Sequence, residues 1–377
     1  MSYGQVNADV IGTSVAGSNI GAGNASIMKN RIINGSMVID QRNAGASTTS
    51  GTNNGYTLDR WATQNNSGAS RFTVQRNAGS ITPPVGFSNY LGCTSTGSYT
   101  VGSGDAIGMI QRIEGYNIAD LTWGTANAKT VTLSFWVYSS LTGTFGGSLT
   151  NGNGNYSYPF TYSITSANTW QQISLTFTGP TSGSFANDNS TGLNVLFALG
   201  TGSSLSGTAG SWSANGYYGA TGQTQWVATN GATFYITGVQ LEVGSSATGF
   251  EYRIYGTEFA NCQRYYNKVL FGDTTAATTS GSNSFNYTTG LALSYFIFPV
   301  AMRSVPSFVT TGSASSYQVL QSGGSVACSI VPTAGNVTTS TAQMNFSTSS
   351  GLNAGQASGV RGNNSSSNDW IAFNSEL

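Results

Sequence analysis

The residues of this 377-residue chain that could do chemistry are few, and what is missing narrows the options first. There is no histidine, so the commonest general base and metal ligand is absent. A Ser-His-Asp triad cannot be assembled within one chain. The 13 Asp and Glu leave paired carboxylates, the arrangement of glycoside hydrolysis, as the one remaining catalytic option. Most of these carboxylates stand beside a structural partner. Asp59 adjoins Arg60, and Glu251 precedes Arg253 by two residues. Glu114 follows Arg112 by two, a spacing that puts both on one strand face. The sequence reads as a part that binds or builds, not as an enzyme.

Loop motifs add little chemistry. Gly21-Ala22-Gly23 and Gly143-Thr144-Phe145-Gly146-Gly147 lack the Lys-Ser/Thr and the strand-to-helix context of a phosphate loop. Asn187-Asp188-Asn189-Ser190-Thr191-Gly192 has the texture of a calcium loop without its closing bidentate Glu. A surface turn is the simpler reading, and a structural Ca²⁺ held by scattered carboxylates and carbonyls stays open. No other cofactor is expected. Cys93, Cys262 and Cys328 are odd in number and far apart, which fits neither a disulfide framework nor a zinc site. They suit assembly in a reducing compartment.

Aromatic side chains are the remaining candidates. Sugars present apolar C–H faces ringed by hydroxyls, so they suit aromatic platforms beside Asn, Gln, Ser and Asp. Trp212, Tyr217, Tyr218 and Trp226 fall in a Gly/Ser/Ala/Thr-rich segment, 201–230, that reads as a long loop. Tyr156 and Tyr158 fall in another. These six are the candidate glycan-binding residues. Their more ordinary fate is to pack beneath their own loops or at a subunit interface.

The elements that must position these rings are strands. Only 7% of residues are charged, and 50 are glycine, a texture shared by disordered chains and extracellular-type β-proteins. An aromatic content of 12%, set in alternating runs, selects the second. In Thr130 to Tyr138, Val131, Leu133, Phe135 and Val137 alternate with Thr132, Ser134, Trp136 and Tyr138, a period of two. Ile173, Leu175 and Phe177 repeat it, and Leu193 to Leu199 reads as a strand covered on both faces. Between Phe234/Ile236 and Val239/Leu241 the apolar parity switches, which predicts a β-bulge at Gly238. Arg31 to Ile39 reads as a first strand with a turn or bulge at Asn34-Gly35. Phe259, Cys262, Tyr266 and Val269 predict a helix with Thr257 as its N-cap.

The expected architecture is all-β. A polar tether, 1–29, orders on a partner. A β-sandwich follows over 30–255, then a linking helix over 256–269 and a smaller β-domain over 270–377. In the last, Leu291 to Phe298, Ser307 to Thr311, Gln343 to Phe346 and Trp370 to Phe373 read as strands, with Pro299 and Pro306 bracketing a loop. A net charge of zero argues against nucleic acid as a partner. It also permits self-association. No signal peptide is visible in Met1-Ser2-Tyr3-Gly4-Gln5, and no apolar run is long enough for a membrane span.

Asn30 to Met37, Gln41-Arg42 and Tyr56 to Trp61 together resemble the opening of a class of bacteriophage tail-fibre and virion structural proteins. Val131 to Ser140 and Thr237 to Gly244 resemble its core strands. Ala247 to Arg253 and Cys262 to Tyr266 resemble its closing segment. The likeness covers residues 30 to about 266. It implies a jelly-roll sandwich similar to carbohydrate-binding modules, and fibre subunits that are often homotrimers. It implies a place in the virion after assembly in the host cytoplasm. Attachment to another virion protein through residues 1–29, and host-surface carbohydrate as the partner, are then expected. A capsid decoration or head-fibre role and a polysaccharide depolymerase are the alternatives. The resemblance carries over no ligand-binding residues.

Overall fold

The computed structural model describes residues 28–51, 55–271, 280–362 and 369–377. The expected tether, apart from Met28 and Lys29, lies outside the described residues. The chain divides into two compact units, one of residues up to Val38 with Gly45–Arg253, the other of Ile39–Ala44 with Ile254–Leu377.

The first unit holds β1 (Thr48–Thr49), β2 (Tyr56–Leu58), β3 (Trp61–Asn65), β4 (Phe72–Arg76), β5 (Leu91–Ser95), β6 (Ala106–Glu114) and β7 (Val131–Ser139). It continues with β8 (Gly143–Asn151), β9 (Ser157–Ile164), β10 (Gln171–Phe177), β11 (Thr191–Thr201), β12 (Ser206–Gly207), β13 (Gly219–Ala220) and β14 (Thr233–Val243). Two six-stranded sheets form, in the orders β1-β4-β5-β14-β7-β10 and β2-β3-β6-β11-β8-β9. Every ladder in them is antiparallel. From β6 onward the chain crosses between the sheets at every step but the β8–β9 hairpin, connectivity of the jelly-roll kind.

The period-two pattern does what its spacing dictates. Val131, Leu133, Phe135 and Val137 of β7 are buried against Phe145, Leu149, Phe197 and Leu199 of the opposite sheet, in one continuous core. Phe135 meets Phe197 edge-on at 5.0 Å. Burying side chains of this size contributes roughly 1.5–3 kcal/mol each. All of β11 beyond Thr191 is buried, as expected of a strand covered on both faces. Its outer cover is the long 202–224 excursion, where Tyr218 packs near Leu196, and Gln223 hydrogen-bonds Thr201 Oγ1 at 3.4 Å.

The bulge at Gly238 is present. Thr237 pairs with Trp136 and Gln240 with Ser134, so three steps on β14 meet two on β7. Gly238 takes φ +61°, and a Cβ there would come within 2.6 Å of the Phe87 ring.

Arg31 to Ile39 is a correction: it is an irregular segment, not a ladder strand. Asn34 and Met37 take positive φ, which breaks any extended run. Beyond Ile236 the β5 side of β14 is free, and this segment occupies it. Arg31 N donates to Leu241 O, and Val239 N donates to Gly35 O, both at 2.9 Å.

The second unit opens on α1 (Tyr255–Gln263). The helix is shorter than the expected 256–269 and starts earlier, with Ile254 as its N-cap and no side-chain cap from Thr257. Tyr266 to Leu270 leaves the helix because it pairs, residue for residue, with the last strand. The strands are β15 (Tyr266–Leu270), β16 (Ser280–Thr288), β17 (Leu291–Ile297), β18 (Ser307–Thr310) and β19 (Tyr317–Gln321). After them come β20 (Gly324–Ala327), β21 (Thr333–Val337), β22 (Thr341–Ser347), β23 (Ala357–Gly362) and β24 (Trp370–Asn374). They form a three-stranded sheet, β15-β24-β18, and a seven-stranded sheet, β20-β19-β23-β16-β17-β22-β21. Phe271, Tyr317, Met344, Phe346 and Phe373 lie in their shared core. All three cysteines are buried. Burial pushes the Cys328 thiol up to about 12 and raises that of Cys93 further, so neither is a reactive thiolate at neutral pH.

Candidate binding site

The site lies in the first unit, where the β8–β9 turn, the β10–β11 loop and the excursion after β11 come together. Asn151, at the end of β8, is the organiser and is 1% exposed. Its Nδ2 donates to Asn155 Oδ1 at 2.8 Å and to Ser184 O at 3.0 Å. Its Oδ1 accepts the backbone N–H groups of Asn155 and Tyr156, at 3.0 and 3.1 Å. One buried amide thus ties the turn to the facing loop and uses most of its bonding capacity.

Ser157 performs the same task on the other side. Its backbone exchanges two hydrogen bonds with Ser213, at 2.9 and 2.8 Å. Its Oγ donates to Asn215 O at 2.6 Å and accepts from Tyr217 N at 3.1 Å. These bonds hold Trp212 against the turn.

The rings then assemble. Trp212 stacks on Tyr156, with centroids 5.6 Å apart and planes 11° from parallel. Tyr158 and Trp123 approach Trp212 edge-on, both at 5.4 Å, and Phe185 does so at 5.9 Å. Polar atoms of the group are bonded where they meet the backbone. Trp212 Nε1 donates to Thr178 O and Trp123 Nε1 to Lys129 O, both at 2.8 Å. The Tyr156 hydroxyl bonds Ser182 Oγ at 2.7 Å. Trp123 is buried, and the other four rings are half-buried. Partial burial raises the Tyr158 hydroxyl above its ordinary range, so it is a neutral donor at physiological pH.

Adjoining this cluster is a pocket of about 290 Å³ lined by Gly152, Asn153, Ser184, Ala186, Ser190 and Thr191. Phe185 sits between two of the lining residues. Gly152 is required by close approach, because a Cβ there would lie 1.8 Å from Thr191 O. The walls supply hydroxyls, an amide and backbone groups, with no charged side chain. Asp188 stands behind Ser190: its Oδ1 accepts from Ser190 N at 2.9 Å and from Ser190 Oγ at 2.5 Å. Those two bonds hold its carboxyl below the usual carboxylate range. The calcium-loop texture of 187–192 is thus a turn closed on itself. No group of three or more His, Cys, Asp or Glu that could hold a metal occurs among the described residues.

The six candidates separate. Tyr156, Tyr158 and Trp212 come together beside the pocket. Tyr218 packs elsewhere, near Ala62, Ile110 and Leu196 on the outer face of the second sheet. Tyr217 lies over Gly207, whose added Cβ would be 2.3 Å from the ring. Trp226 is a correction: it is 0% exposed, in the core, edge-on to Phe72 at 6.2 Å. The 201–230 segment dips between the sheets there, and a large apolar ring is what fills the space. The sequence did not mark Trp123, Phe185 or Asn151. They lie far apart along the chain, and no periodicity links them. Two carboxylates outside the site, Glu251 and Glu242, are taken up structurally. Glu251 accepts Asn30 N at 2.7 Å and pairs with Arg253 at 3.0 Å, and Glu242 accepts Thr248 N at 2.8 Å and Thr248 Oγ1 at 2.6 Å.

No protein-family model matches the chain, and no curated protein does either. Among solved structures, it is similar to the enzymatically active domain of tailspike protein 4 from bacteriophage CBA120, at 14% identity and a TM-score of 0.30. That match covers 57% of this chain and 22% of the tailspike chain, about a fifth of its length. A family 11 carbohydrate-binding module from a Clostridium thermocellum cellulase matches at 15% identity and a TM-score of 0.24, covering 53% of this chain and 96% of the module. A xylan-binding domain from Paenibacillus barcinonensis matches at 11% identity and a TM-score of 0.24, covering 55% and 99%. The functional reading rests on the site itself.

Proposed function

We propose that this chain is a non-catalytic, glycan-binding subunit of a bacteriophage fibre, attached to the particle through residues 1–29 and working as a homotrimer. The observation that carries the binding reading is the Trp212–Tyr156 stack beside an uncharged, hydroxyl-lined pocket of about 290 Å³. Its chemistry is complementary to a sugar: ring faces and edges for C–H groups, and Ser, Thr and Asn for hydroxyls. The size lies just below the roughly 300–1,000 Å³ typical of ligand pockets. A shallow site of this kind binds weakly alone, and several copies on one particle multiply the effect. The absence of histidine and the structural use of Glu242 and Glu251 support adhesion over hydrolysis.

A glycan array probed with the purified full-length protein tests the reading. Retention on at least one bacterial-surface glycan is expected, with no release of soluble sugar. An array blank at high protein concentration contradicts it, and release of sugar from the bound polysaccharide makes the chain a depolymerase.

A further inference from the structure

We infer that the pocket selects uncharged sugars and turns away glycans bearing carboxylate or sulfate groups, with Asp188 as the selecting residue. This deepens the glycan reading of the same site and depends on it. Three observations lead there. The six residues lining the pocket carry no charge, so an anionic sugar would find no cation to replace its lost hydration. The charged group bonded directly to that wall is a carboxylate: Asp188 accepts from both the backbone and the hydroxyl of Ser190, a lining residue. The cations of the neighbouring turns are committed elsewhere. Gly115 N donates to Ser190 O and Tyr116 N to Asp188 O, so the 115–121 turns pack on this loop. The basic residues at those turns, Arg31 and Lys129, both pair with Asp120, at 2.8 and 3.7 Å.

Ser190 Oγ donates to Asp188, so its hydroxyl proton is used and what it still offers a ligand is its lone pairs. An acceptor at the wall, backed by a fixed negative charge, favours sugar hydroxyls as donors and disfavours an anion. Asp188 is exposed, so the discrimination is a water-screened one. Across about 4 Å of water, a like charge of this kind costs about threefold to tenfold in affinity. It should shrink in 1 M salt, where the screening length falls to about 3 Å.

The test uses the full-length protein and matched oligosaccharide pairs, each a neutral hexose or N-acetylhexosamine oligomer and its uronate- or sialate-bearing counterpart, titrated at low and high salt. The isosteric Asp188→Asn variant runs in parallel, since its amide oxygen can still accept from Ser190. The inference expects the neutral member of a pair to bind about threefold to tenfold more tightly. It also expects the gap to narrow in Asp188→Asn and at high salt. Equal or tighter binding of the acidic member overturns the selectivity while leaving glycan binding intact. A gap unchanged in Asp188→Asn overturns the role of Asp188. Failure of both members of every pair to bind overturns the glycan reading, and the inference with it.

Discussion

At the residue scale, the polar side chains of the Asn30–Arg42 stretch turn out to be structural locks. Asn30 is 1% exposed and makes three side-chain hydrogen bonds. Its Oδ1 accepts from Ile32 N at 2.9 Å and Leu241 N at 3.0 Å, and its Nδ2 donates to Val239 O at 3.0 Å. Gln111 fixes the same segment by exchanging two bonds with the Ile33 backbone, both at 2.9 Å. Gln41 and Arg42 do likewise in the second unit. Gln41 Nε2 donates to Tyr266 O at 2.9 Å, and Arg42 pairs with Glu376 at 2.8 Å while its guanidinium lies 3.8 Å from the centre of the Tyr266 ring. Such residues hold the fold and take no part in the candidate site. Asn30→Ala strands buried backbone groups, so it is expected to destabilise the first unit by roughly 2–5 kcal/mol. Chemical denaturation of the variant beside the parent checks this. A loss under about 0.5 kcal/mol would show that the segment is not a lock.

At the element scale, Gly238 converts a parity switch in the sequence into a bulge, and the bulge lets β14 accept the 30–35 segment along its edge. Gly238→Val places a β-branched residue at φ +61° and drives its Cβ toward the Phe87 ring. A cost of about 2–5 kcal/mol follows from backbone strain and overpacking together. A thermal midpoint equal to that of the parent would contradict the bulge. Legibility in the sequence follows from the same physics. β7, β10, β11, β17 and β22 could be read because each buries one or both faces with large apolar residues, so period two or a continuous run is written into them. β16, β20, β21 and β23 could not, since they are built from Ser, Gly, Asn, Thr and Ala with few large side chains. Residues 266–269 matched a helical spacing, yet pairing with β24 decided them. That contact is a hundred residues away and invisible to a local pattern. The candidate site is half legible for the same reason. Trp212, Tyr156 and Tyr158 stood out as aromatic residues in polar loops, whereas Trp226, of identical type and texture, went to the core.

At the scale of the whole molecule, zero net charge, few charged residues and a sandwich whose loops gather polar groups around stacked rings suit the weak, uncharged contacts proposed for it. The two units keep separate cores, so the loops of the candidate site stand on the first unit's own sheets. The central claim is that the Trp212–Tyr156 corner, and not the Tyr218 face of the same sandwich, contacts the sugar. Isothermal titration of the best array ligand into the parent protein, Trp212→Ala and Tyr218→Ala tests it most directly. Trp212→Ala is expected to weaken binding about tenfold or more, the equivalent of about 1.4 kcal/mol, while Tyr218→Ala stays within about twofold. A Trp212→Ala protein that is folded and binds as tightly as the parent, with binding lost in Tyr218→Ala instead, would contradict the account.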